Sequence, residues 1–158
     1  MAKIEADRRH LELTPELDIT CHELGPDTRR AMLRIELIGP IDVPRLETIK
    51  VRIRDDGYTH LPDGQVIAQE MLDEQIWGPY RFNLGDGREK HSRPLAVDGD
   101  TWEQFVIHRT APPLWDVDGD DLWEELYGRA PVLLLLECRA EGHKRWRMAK
   151  RVTVTPVS

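Results

Sequence analysis

The strongest constraint on this chain is a period of two. Apolar side chains hold alternate positions in Ala31, Leu33, Ile35 and Leu37, and again in Ile49, Val51 and Ile53, the spacing of strands that bury one face. Leu11 and Leu13, then Leu17, Ile19 and Cys21, read as a further strand broken at Pro15. Trp102 to Thr110 alternates around Phe105 and Ile107, and Lys144 to Thr155 alternates around Trp146, Met148, Val152 and Val154. Gly39-Pro40, Pro44, Asp55-Asp56-Gly57, Pro62-Asp63-Gly64 and Pro112-Pro113 punctuate these runs as turns. Such a chain folds as packed sheets.

The alternate positions around 31–37 and 49–53 hold Arg30, Arg34, Glu36, Lys50, Arg52 and Arg54. If those two segments pair, they share one apolar and one mostly cationic face. Val132 to Arg139 differs. Its unbroken apolar start, Val132 to Leu136, predicts a central strand buried on both faces. One helix has clear punctuation: Asp121 and Glu124 have capping-box spacing, Leu122, Trp123, Leu126 and Tyr127 share a face, and Gly128 is placed to end it. Val66 to Trp77 carries a weaker helical pattern. The expected fold is all-β: a single immunoglobulin-like antiparallel β-sandwich with one short connecting helix, spanning residues 10–156 after a flexible segment 1–9. At 158 residues, one core accounts for the chain.

Thr14 to Cys21, Trp77-Gly78-Pro79-Tyr80-Arg81-Phe82 and Glu141-Gly142-His143-Lys144-Arg145-Trp146 resemble segments of small, functionally uncharacterised actinobacterial proteins of immunoglobulin-like shape. That resemblance implies the fold and implies no activity.

Charge narrows the partners. A net charge of −7 opposes general binding of nucleic acid, whose nonspecific affinity comes from cations that displace counterions. The charge is also segregated. Residues 98–129 carry nine acids against Arg109 and Arg129, whereas residues 139–151 carry six cations against Glu141 alone. No apolar run approaches the roughly 20 residues of a membrane span, and the first ten residues lack the apolar stretch of a secretory signal. The expected setting is the cytoplasm, away from membranes, with Cys21 and Cys138 as buried reduced thiols.

Catalytic constellations are hard to find. Serine occurs only at Ser92 and Ser158, outside any nucleophile turn. Gly85-Asp86-Gly87 lacks the remainder of a phosphate loop. The acidic run 116–121 begins like a calcium loop, but Asp121 and Tyr127 stand where the turn glycine and the bidentate glutamate belong. His108 reads as a structural histidine. The expectation is no catalytic residue, no metal and no cofactor. What remains is aromatic: large rings on loops either plug the ends of a sandwich or anchor a partner, and on the second reading Trp77, Tyr80 and Arg81 around the rigid Gly78-Pro79 turn, and Pro113 with Trp115, are the candidate anchors for a protein partner. The reading is therefore a non-enzymatic interaction module. The alternative is a ligand-binding or enzymatic sandwich with a pocket between the loops 77–82 and 112–123. Strand order and oligomeric state are not legible at this level.

Overall fold

The computed structural model describes residues 2–25, 29–54, 66, 68–82, 95–113 and 119–156. Its elements run α1 (Ala2–Glu12), β1 (Glu16–Glu23), β2 (Arg30–Gly39), β3 (Arg45–Ile53), α2 (Gln69–Glu74), β4 (Tyr80–Phe82), β5 (Leu95–Asp98), β6 (Trp102–Arg109), α3 (Gly119–Tyr127), β7 (Val132–Arg139), β8 (Trp146–Val152) and β9 (Val154–Thr155). Among the described residues the strands form two sheets, ordered β4-β6-β2-β1-β9 and β5-β3-β7-β8. The middle three strands β6, β2 and β1 face β3, β7 and β8 across the core, the order of strands E, B, A over C, F, G in an immunoglobulin fold. All pairings are antiparallel except β1 with β9, where the chain leaves β8 and crosses to the other sheet.

The alternation explains the core. Leu33, Ile35 and Ile107 from one sheet meet Ile49, Val51, Ile53, Leu134 and Leu136 from the other, all buried. Each such side chain contributes about 1.5–3 kcal/mol through removal from water. Cys21 and Cys138 are buried free thiols on opposite sheets. Burial pushes both up to about 12, so neither is a thiolate near neutrality. The β7–β8 connection turns through Gly142 at φ +79°, a backbone setting that favours glycine.

Four expectations need correction. Segments β2 and β3 do not pair: β2 lies between β1 and β6, and β3 between β5 and β7. Their outward cations therefore point to opposite sides of the molecule. The start of the chain is helical from Ala2, where residues 1–9 read as flexible, and Leu11 belongs to that helix at 72% exposure rather than to a strand. Helix α1 suits its own dipole, with Glu5 in the first turn and Arg9 and His10 in the last. It is tied down from far along the chain. The Trp146 indole Nε1 donates to the His10 carbonyl at 2.9 Å, and the two rings stack with centroids 4.7 Å apart. The connecting helix α3 begins at Gly119, which leaves Asp121 in its first turn instead of at its cap, and the weaker pattern before Trp77 shortens to the six residues of α2. Finally, β7 is buried on one face only, as the next section describes.

Candidate functional site

Of the two readings of the loop aromatics, plug or anchor, the described rings take the first. Trp77 is 5% exposed and Tyr80 1%, Pro113 is buried and Arg81 half-buried; Trp115 lies outside the described residues. Gly78 passes so close to the residue that follows β3 that a Cβ there would meet the Arg54 carbonyl oxygen, so only glycine fits between the two buried rings. Thr110 then ties three elements together. Its hydroxyl donates to the Gly78 carbonyl and accepts from the Trp123 indole Nε1 at 3.1 Å. Trp77 packs on Trp123 at 5.7 Å, and Trp123 on Tyr127 at 4.8 Å. These rings pack together beside Thr110; the expected pocket between the loops 77–82 and 112–123 involves residues 114–118, which lie outside the described residues.

An uncovered apolar surface lies elsewhere. On the outer side of the four-stranded sheet, cross-strand register sets out three rows: Lys50, Glu137 and Arg147; Arg52, Leu135 and Ala149; and Leu133 beside Arg151. Leu135 is 56% exposed and Leu133 half-buried, although the adjoining Leu134 and Leu136 are in the core. The run that read as buried on both faces thus has one covered face, because among the described residues no helix or second sheet packs over it. A shallow groove of about 660 Å³ follows these residues.

Electrostatics sharpen this patch. Its one carboxylate, Glu137, is already shared between Arg139 at 3.2 Å and Arg145 at 3.3 Å. Hydrogen bonding from Arg139 first, then from Arg145, with the charges of both, holds Glu137 below the usual carboxylate range against the opposing effect of desolvation. Lys50, Arg52, Arg147 and Arg151 take part in no ion pair among the described residues. The result is an apolar ridge with a rim of uncompensated cations.

The outer face of the five-stranded sheet behaves differently. Arg34 stacks over the half-exposed Trp102 ring at 4.2 Å and lies 3.8 Å from Glu36. On that same side His108 stands between Arg30 on β2 and Arg81 on β4 in register. Partial burial, then the charges of Arg81 and Arg30, hold its imidazole below the usual histidine range.

A cavity of about 570 Å³ lies at the corner where β1, β6, the end of α3 and β9 meet. Arg109 spans it, pairing with Glu23 at 3.6 Å and donating to the Gly128 carbonyl at 3.0 Å. Tyr80 contributes to the wall, and its buried hydroxyl has no hydrogen-bond partner among the described residues. Burial raises that phenol above its usual range, with Arg109 opposing, so the hydroxyl stays a neutral donor. Among the described residues no three His, Cys, Asp or Glu side chains converge as a metal site, and no helix is long and apolar enough to cross a membrane.

No known protein family matches the chain, and no curated protein matches it in sequence. Among solved structures, the chain is similar to the PmoD soluble domain from Methylocystis sp. (strain Rockwell), at 15% identity and a TM-score of 0.45, over 89% of this chain and 92% of that one.

Proposed function

We propose that this protein is a non-enzymatic, cytoplasmic protein–protein interaction module, of a size suited to a small subunit of a larger assembly. Its docking surface is the outer face of β3, β7 and β8. The observation that carries this reading is Leu135: a leucine 56% exposed in mid-strand, set among four cations that pair with no carboxylate among the described residues. An apolar centre within a charged rim is the anatomy of a protein interface. The chemistry that fits is an acidic segment with apolar side chains on one side. Nucleic acid fits less well, because the net charge is −7 and the aromatic ring of the basic strand, Trp146, is buried.

An amphipathic helical peptide with leucines four residues apart among glutamates provides the test, titrated into fluorescently labelled protein at low ionic strength. The peptide binds, Arg52→Glu combined with Arg147→Glu weakens it about tenfold or more, and Arg34→Ala on the opposite sheet leaves it unchanged. Binding that ignores the double reversal, or no binding, refutes the reading. The alternative of a small-ligand site draws on one observation, the unpartnered Tyr80 hydroxyl in the corner cavity. A rise in melting temperature with a small carboxylate or phosphate, lost in Tyr80→Phe, would favour it.

A further inference from the structure

Helix α3 carries exposed leucines among exposed carboxylates. Helix α3 turns Trp123 and Tyr127 toward the sandwich, where their rings pack together. Leu122 and Leu126, one turn apart, remain 39% and 48% exposed. Around them Asp120, Asp121, Glu124 and Glu125 are all exposed, and the helix has no basic residue in its last turn. Two leucines within a set of carboxylates thus face solvent, while Leu135 within Lys50, Arg52, Arg147 and Arg151 faces solvent elsewhere. Among the described residues no ion pair joins the carboxylates of α3 or those four cations to a group of opposite charge, and the two patches match in both charge and apolar content.

We propose that α3 of one copy docks on the outer face of β3, β7 and β8 of a second copy, so that the protein self-associates head to tail. This rests on the reading of that face as a docking surface and names its occupant. The contact joins two different patches, which makes it heterologous: copies either close into a ring or continue as an open chain. Desolvation of three leucines supplies the apolar part. The charges set register and exclude the competing arrangements, in which the cationic face meets its own kind.

The test is the mass of the intact protein in solution, followed by light scattering and sedimentation over a range of concentration and salt. At low ionic strength the mass rises with concentration above the 18.3 kDa of one chain. It falls back toward that value at about 1 M salt, where screening acts within about 3 Å. Arg52→Glu with Arg147→Glu reverses one patch, and Asp121→Lys with Glu125→Lys reverses the other. Either variant alone associates at least about tenfold more weakly than the parent. Mixed together they associate again, since each then offers the patch that the other needs. All four positions are exposed, and a melting curve for each variant checks that it is folded. A single-chain mass at every concentration overturns the proposal, as does association that persists in both variants alone or fails to return on mixing. If the protein remains a single chain yet the acidic leucine peptide binds, self-association is refuted and the docking face stands. If the peptide also fails, both are refuted.

Discussion

Two regions of this molecule exchange the roles that their residues suggest. The loop around Gly78-Pro79 has the composition of a surface anchor, yet Trp77 and Tyr80 are in the interior. The run Val132 to Leu136 has the composition of a doubly buried strand, yet Leu135 is in solvent. The difference lies in what covers each segment. The loop meets α3 and Thr110, which close over its rings. The outer side of β7 meets nothing among the described residues. Apolar content therefore says how much surface a segment would gain by burial, and only the neighbours say whether that burial happens within the chain or waits for another.

The largest effect that separates the two regions is in stability. Tyr80→Ala or Trp77→Ala is expected to cost about 3–5 kcal/mol, as large core truncations do, whereas Leu135→Ala stays within about 0.5 kcal/mol. Urea titrations of the three variants measure this, and near-parental stability of both aromatic variants would return the rings to the surface. Tyr80→Phe sharpens the point: it removes only an unpartnered buried hydroxyl, so stability should hold or rise slightly.

Next in size is the tie that closes the loop. Thr110→Val removes the donor to the Gly78 carbonyl and the acceptor for the Trp123 indole, and an expected loss of about 1–3 kcal/mol follows from leaving such groups unpaired. A melting curve unchanged by that substitution would break the account of how the end is sealed.

A smaller contrast distinguishes the two outward cationic faces. Arg34→Ala loses the stack on Trp102, worth about 0.5–1 kcal/mol at an exposed site. Arg52→Ala, with no such ring, leaves stability within about 0.5 kcal/mol. Equal losses in chemical denaturation would show that the two faces do not differ.

The smallest effect is a pH dependence confined to the five-stranded sheet. His108 titrates below its usual 6.5 in the folded protein, so the unfolded chain binds the proton more readily. Stability therefore falls as pH drops through 6.5 toward the lower folded value, and levels off beneath it. His108→Gln should flatten that part of the stability profile. A profile unaltered by the substitution would show that burial and the charges of Arg81 and Arg30 do not hold the ring below its usual range.

Much of the architecture is legible in the residue order. The inward sets of β2, β3, β6 and β8 follow from alternation, and the two thiols from their places within it. Gly128 directly follows α3, though without the left-handed backbone that its place in the sequence suggests, and a Cβ there would run into the Glu124 side chain and carbonyl oxygen. Less was legible where the decisive contact is distant. Nothing near Leu11 announces that the helix before it will dock on Trp146, a contact made across 136 positions. Of the docking face, the sequence signal was the missing polar alternation at Leu133 and Leu135, and it reads equally well as double burial. Segregated charge was visible, but the apparent unity of Arg34 with Arg52 was not real, because their strands lie in different sheets.

What the sequence by itself determined is therefore local and periodic: which side chains share a face, where strands stop, and which segment is helical near residue 124. Those properties follow from backbone geometry within a few residues, and they survive whatever the rest of the chain does. The tertiary structure alone decided which strands are neighbours, that α1 is tied to Trp146, that the loop rings turn inward, and that one side of β7 stays bare. Each of those depends on surfaces brought together from far apart in the chain, and coverage of a surface is a property of its neighbours rather than of the residues that form it.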